Sequence, residues 1–499
     1  MRHTYFLLTA LVTLLFVGCC NNERPSALLE NNYMILASES VANDEVWSVV
    51  VDKLMEKHNA SLATFTTTPC EVLEDIRIIN PRYVAIVDKP ENINRDYVID
   101  IHLMCREVDN DIYGDFLWGI ITGYDASAAE RMVDNSTEPF VIKDAVATIM
   151  ELNSAKWFDN YAWVDDHTRG LWGYKNGRDS EIVTGMVEKE EVLGKFQELY
   201  EAYDPDLIVT AAHATQKNLE MPYSLGHLRP RDGKLYAQNI FTGEERDIIE
   251  SGKRRVYTAV GNCLIGDMNN TRESMAAAWM NGSNAATMIG YVVTTWHGRN
   301  GWGALKYWVT NPFRYTLAEA VYMNQQDLLH QQYAWHPTLI DEKYTFCEGF
   351  WEELESTKNR LSETLGRELS YESAEDWDMM GFWHDRDVLA YYGDPLWSIM
   401  LQGVESEKDY TVESRIEGNK YIITITTAEN FSLERMKGDK FKQEHVLDLP
   451  FSYFFPERLV NPRLAENQMW EVALDENFIL VYNAEFNPSS SYEIILDVE

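Results

Sequence analysis

From residue 33 to residue 293, short apolar runs alternate with stretches of helical periodicity, and this alternation constrains the fold more than any other feature of the chain. Residues 33–37, 61–65, 83–87, 116–122, 207–211, 255–260 and 285–293 read as strands. Residues 43–57, 126–133, 183–203 and 272–280 read as helices between them, the first with Val46, Val49, Val50 and Leu54 as its apolar stripe. Such a rhythm predicts an α/β fold: a mostly parallel sheet with helices on both faces. Two more helices are expected at 317–329 and 350–365, the second closed by Gly366 and burying Leu354, Leu361 and Leu365. Residues 151–180 break the rhythm. Trp157, Phe158, Tyr161, Trp163 and Trp172 lie there among Asp165, Asp166, His167 and several glycines. The segment reads as a long structured loop that either packs over the sheet edge or walls a cleft. After about residue 408 the helical periodicity stops. Runs at 421–427, 478–482 and 492–498, joined by charged or Pro/Asn-rich turns, predict a small all-β sandwich over 409–499.

The first residues set the compartment. Arg2 and His3 precede an apolar run of thirteen residues, 5–17. That is too short to span a bilayer and suits a signal peptide. The Gly18-Cys19 junction resembles a bacterial lipobox, with Phe16 in place of the usual aliphatic residue; Cys20 is the second reading, and an ordinary signal peptide the third. The expected organisation is a lipoprotein signal over 1–20, a polar tether over 21–31, a main α/β domain over 32–408 and the β-sandwich. One hydrophobic core rarely grows to the size of this 499-residue chain, which also argues for more than one domain. The formal charge of -37, from 80 acidic and 43 basic residues, repels nucleic acid and anionic headgroups. It favours cationic or neutral partners. Cys70, Cys105, Cys263 and Cys347 are far apart and form no small-domain disulfide framework. In an oxidising compartment a free thiol is either buried or there to react.

Two of the predicted strands end in residues that carry chemistry. The run 207–211 leads to His213, and the run 255–260 leads to Cys263 and a Gly266-Asp267 turn. Functional groups of parallel sheets cluster beyond the carboxyl ends of the strands, so adjacent strands would bring this histidine and cysteine together. A thiol beside an imidazole becomes a nucleophile for acyl transfer, and the imidazole then protonates the leaving amine. Taken singly, a cysteine at a strand end is more often a small buried hydrophobe. Trp296-His297-Gly298 reads as a loop that could line a cleft. His384-Asp385 and Asp166-His167 are candidate metal-ligand pairs without a recognised spacing, and the chain has no His-Glu-x-x-His, Walker or Gly-x-Gly-x-x-Gly motif. No cofactor or metal is therefore expected, and structural calcium on the abundant carboxylates is left open.

These motifs resemble the gingipain family of cysteine peptidases, relatives of caspases and legumains. The resemblance runs over roughly residues 33 to 400. The family's catalytic histidine falls on His213, and its nucleophile on Cys263, in a Cys-x-x-Gly-Asp string ending at Asp267. The strand at 285–290, after a segment carrying Glu273, and the Tyr392-Gly-Asp-Pro string match further family features. Gly123-Tyr124 and Ala214 depart from the family, which has Gly-Arg and Gly there. The resemblance implies a caspase-like sheet followed by an immunoglobulin-like domain. It also implies a Cys-His dyad with an oxyanion site made by the backbone N–H groups of Cys263 and Ala214, acting on a peptide or protein substrate. Ala donates as well as Gly unless the position needs a positive φ. The alternative is an inactive member of the family that serves as a surface binding protein.

Overall fold

Strand-forming residues between Tyr33 and Tyr392 assemble one twelve-stranded sheet in the computed structural model. The structure describes residues 28–499 apart from 31, 150–151, 153–156, 345–348, 403–408, 440 and 442–445. The signal segment, Cys19, Cys20, most of the tether and Cys347 lie outside the described residues. In chain order the strands are β1 Tyr33–Ser38, β2 Ser61–Phe65, β3 Tyr83–Val87, β4 Leu117–Ile121, β5 Asp144–Ala147 and β6 Asn160–Val164. They continue with β7 Leu171–Asn176, β8 Val183–Met186, β9 Leu207–Thr210, β10 Arg255–Ala259, β11 Ala285–Tyr291 and β12 Leu389–Tyr392. Their order across the sheet is β2-β1-β3-β4-β12-β11-β10-β9-β5-β6-β7-β8.

The sheet is two parallel blocks joined back to back. Neighbours from β2 to β4 are parallel, as are those from β11 to β6. At the junction β12 runs antiparallel to β11 and meets β4 in parallel. Every residue of β1, β3, β9, β10 and β11 is buried, which requires cover on both faces. Helices Ala126–Asn135 and Met275–Asn281 pack on β11, and Val192–Tyr203 packs on β5 and β6. Arg299–Thr310 packs on β10, β11 and the helix Leu317–Trp335, which reaches β4. This is the expected caspase-like architecture.

Three expectations change. The helix expected at 43–57 starts only at Ser48, because Asp44 Oδ1 accepts the amides of Val46 and Trp47 and turns the chain there. Val46 and Val49 are consequently exposed, and Val50, Val51 and Leu54 form the buried face. The helix expected at 183–203 is split: residues of β8 are extended, and the helix runs only over Val192–Tyr203. Over residues 157–180 the aromatic segment is not one long loop. It supplies β6 and β7, antiparallel strands of the main sheet, and Trp157, Phe158, Tyr161 and Trp163 are core residues. Glycines make room for the rings: a Cβ on Gly173 would lie 2.2 Å from the Trp163 ring. The packing role therefore replaces the cleft-wall role.

Beyond residue 409 two antiparallel sheets stack as a β-sandwich. One holds Tyr410–Glu417, Lys420–Thr427, Ser491–Asp497 and Arg463–Leu464, and the other Phe451–Phe454, Phe478–Val481 and Val472–Asp475. Ile423, Ile425, Phe451, Ile479, Val481 and Ile494 fill the space between them. A short helix, Leu433–Met436, interrupts the expected run of strands. The outer face of the smaller sheet is not free. Phe454, Ala473, Phe478 and Leu480 join the core of the large domain, where the Tyr322 ring meets Phe454 and Phe478 edge-on at 5.9 and 6.0 Å. Among the described residues no helix is long and apolar enough to cross a membrane.

Candidate active site

β9 and β10 are immediate parallel neighbours, with Leu207 opposite Val256 and Thr210 opposite Ala259. His213 follows the end of β9 and Cys263 the end of β10, so both leave the sheet at the same edge. Two ties hold the loops in step. The buried Asn262 side chain accepts from Thr210 Oγ1 at 2.7 Å and donates to the Ala212 carbonyl at 2.8 Å. Farther out, Gln216 Nε2 donates to Asp267 Oδ2 at 2.9 Å, and the Gln216 carbonyl accepts from Met275 N at 2.7 Å. The residues before and after each candidate are thus cross-linked, while His213 itself is exposed.

The backbone at Ala214 does not require glycine. The residue is buried and absent from the positive-φ residues, so replacing the family's glycine costs no backbone strain. Glu220 N donates to the His213 carbonyl at 2.9 Å. Residues 213 and 220 are therefore a hydrogen-bonded pair of the antiparallel ladder. Ala214, next along and opposite Leu219, directs its N–H away from that ladder.

The surroundings of the thiol move its pKa in the direction opposite to that of an adjacent imidazole. Cys263 Sγ lies 3.6 Å from Thr295 Oγ1, and no hydrogen bond joins it to His213. Burial pushes the Cys263 thiol up; the Thr295 hydroxyl opposes this, and the Asp385 carboxylate adds to it. The turn after it is also made differently than the sequence suggests. Leu264, not Gly266, takes the left-handed conformation, with φ of 58°. A branched side chain held there costs of order 1–3 kcal/mol, a form of strain concentrated at functional sites. Gly266 is needed for closeness instead: a Cβ on it would stand 2.3 Å from the Gly290 carbonyl oxygen of β11.

The loop after β11 walls the site from the other side. Asp385, fully buried, accepts the backbone N–H groups of Trp296, His297 and Arg299 at 2.9, 2.8 and 3.2 Å. His384 Nε2 contacts the Thr294 carbonyl at 2.8 Å and the Tyr344 hydroxyl at 3.0 Å, and burial lowers its pKa. His384-Asp385 is thus a clamp on the segment that carries Thr295, holding it through the His384 Nε2 and the Asp385 carboxylate. Half-buried Trp296 stacks obliquely on Trp377 at 4.6 Å. Asp166 and His167 sit in the turn between β6 and β7. Asp394, of the Tyr-Gly-Asp-Pro string, is buried and paired with Lys57 at 2.8 Å and His58 at 2.7 Å, which helps hold its pKa at about 2; its part is to fasten the end of β12.

A hard cation has one matching donor set among the described residues. Oxygens of Asp109, Asp111 and Asp475 all lie within 4.8 Å of one another. It is remote in sequence from the residues at the β9 and β10 ends and joins the large domain to the sandwich. Asn262, Thr295 and Gln216 were not singled out from sequence, and Asp385 and Asp267 were noted there in other parts, Asp385 as half of a metal-ligand pair and Asp267 as part of the turn after the cysteine. Of the first three, only Asn262, polar and adjacent to the cysteine, gave any signal there.

No family model matches the chain, and no curated protein matches it. Solved structures similar to it include the Arg-specific cysteine proteinase gingipain R, at 11% identity over 91% of this chain and 92% of that one, with a TM-score of 0.42. The complex of Porphyromonas gingivalis RgpB pro- and mature domains is similar at 9% identity over 91% and 93%, with a TM-score of 0.41. A structure described only as a protease follows at 8% identity over 95% and 98%, with a TM-score of 0.35. The first of them bears the name of the family that the motifs resemble. Identities this low assign no residue its role.

Proposed function

We propose that the chain is a cysteine endopeptidase of the gingipain type that acts on peptides at the bacterial cell envelope, held there by a lipid on Cys19. The observation that carries this reading is the parallel pairing of β9 with β10, which delivers His213 and Cys263 to one edge of the sheet. Cys263 Sγ gives its proton to the His213 imidazole and adds to the scissile carbonyl. The N–H groups of Cys263 and Ala214 receive the oxyanion. The imidazolium protonates the departing amine, and water hydrolyses the thioester.

The raised pKa of the Cys263 thiol favours a second reading, a member of the fold that binds peptides without cutting them. Incubation with a panel of peptidyl acyloxymethyl ketones, followed by mass mapping, separates the two. Modification confined to Cys263 and lost in His213→Ala supports the peptidase. Absence of modification by every probe leaves the binder.

A further inference from the structure

Among the described residues, nothing pairs with the outer edge of β8, the last strand of the large sheet. Its one partner among them is β7, and Val183, Thr184 and Met186 are exposed, with 45% of Val183 and 62% of Met186 in solvent. Val187 N donates to the Gly170 carbonyl at 2.9 Å, which fixes the phase of the ladder. Residues 183, 185 and 187 face β7, so Thr184 and Met186 point both their N–H and C=O groups outward. An open edge of this kind is a template for another strand, and proteins usually blunt it with lysine, proline or a bulge. The Val-Thr-Gly-Met sequence of β8 has neither lysine nor proline, and its pairing with β7 is in unbroken register.

The surroundings specify what would add there. From 179 to 191 the chain carries Asp179, Glu181, Glu188, Glu190 and Glu191 against Lys189 alone. At the carboxyl end of the strand, two cavities of about 480 and 500 Å³ share Val187 and Glu191 as lining. The hairpin tip beside them bears exposed Ile240 and Phe241 and is tied in by Asn239 Nδ2, which donates to the Glu190 carbonyl at 2.9 Å. The edge therefore combines free backbone groups, apolar side chains, two open hollows and a modest excess of carboxylates, since Arg169, Lys195 and Arg246 also line the hollows.

We propose that the outer edge of β8 is a strand-addition site for an extended, positively charged polypeptide segment. Main-chain hydrogen bonds to Thr184 and Met186 supply register, and the acidic flanks select the charge. This site is separate from His213 and Cys263, and its occupancy does not depend on cleavage.

The test uses the full chain carrying Cys263→Ala and a fluorescein-labelled, end-capped peptide of alternating Lys and Val. Saturable anisotropy is expected, together with slower amide exchange at Thr184 and Met186 by about tenfold or more at saturation. Thr184→Pro removes an outward N–H without touching the β7 ladder and should weaken binding by at least about tenfold. The same peptide N-methylated at alternate residues keeps its charge and should not bind, a control that holds even if the proline variant folds poorly. A Glu-Val peptide should bind at least about tenfold more weakly. Failure of the Lys-Val peptide to saturate, or binding that survives N-methylation, overturns the proposal; the latter result would be charge attraction alone. Equal binding of the Glu-Val peptide overturns the assigned charge. A dimer in sedimentation velocity that Thr184→Pro dissolves overturns it as well, by making a second copy the occupant.

Discussion

Asn262 Nδ2 lies 2.8 Å from the Ala212 carbonyl oxygen, so the residue before Cys263 holds the residue before His213. Its Oδ1 meanwhile takes the Thr210 hydroxyl at 2.7 Å. Thr210 keeps the Tyr257 hydroxyl at 2.8 Å, so Asn262→Ala chiefly leaves the Ala212 carbonyl without this donor, a loss of about 1–3 kcal/mol. Thermal unfolding should show the drop in stability. Labelling of Cys263 by a peptidyl acyloxymethyl ketone should slow by more than that drop explains, because the two loops lose their register. Unchanged labelling would mean that the tie is structural only.

The thiols should separate by environment. Cys105 is buried, with its pKa pushed up to about 12, and Cys263 is only half-buried. Iodoacetamide at pH 7–9 should label Cys263 and leave Cys105 silent in the folded protein. Since burial raises the Cys263 pKa, its labelling should still be climbing with pH above neutrality. Thr295→Val removes the hydroxyl that opposes the rise, and should shift the profile to higher pH still. A plateau below pH 7 in the wild type would contradict the environment described.

Acid should help one part of the molecule. Burial and mutual repulsion raise Asp111 to about 6, Asp115 to about 10 and Asp475 well above the ordinary range. A carboxyl whose folded pKa exceeds the unfolded value of about 3.9 costs nothing below that value. Its penalty grows as pH rises between the two and then levels off. For Asp111 that window is roughly pH 4 to 6, and for Asp115 it extends to roughly pH 10. Asp475→Asn should therefore raise Tm at pH 7 and flatten the decline of stability above pH 4. Millimolar Ca²⁺ should raise Tm in the wild type more than in Asp475→Asn, and EDTA should reverse the gain. An equal shift in both proteins would place the cation elsewhere.

The sandwich and the large domain should unfold together. Phe478, fully buried, lies under Tyr113 and Tyr322, and Phe478→Ala should cost about 3–5 kcal/mol. Residues 409–499 expressed alone would expose Phe454, Phe478 and Leu480. They should bind a hydrophobic dye that the whole chain does not. Two separate calorimetric transitions in the full chain would count against the shared core.

Strands β1 to β4 and β9 to β11, the β-rich final segment and the residues at the ends of β9 and β10 were readable because they rest on local periodicity, whereas β5 to β8 and β12 were not read as strands. The helix Phe350–Leu365, stopped by Gly366 with φ of 64°, is such a case. The segment 151–180 was misread because its aromatic rings sit over glycines on neighbouring strands, as Trp163 does over Gly173 and Trp172 over Gly185, and such cross-strand partners leave no local signature. The protonation of Cys263 was beyond sequence for the same reason. An imidazole fifty residues away suggested a lowered pKa, whereas the sheet buried the sulfur and set Thr295 beside it and Asp385 within reach of its charge. Desolvation depends on what packs around an atom, so the sequence named the cysteine at this edge, and the tertiary packing set the direction in which its pKa moves.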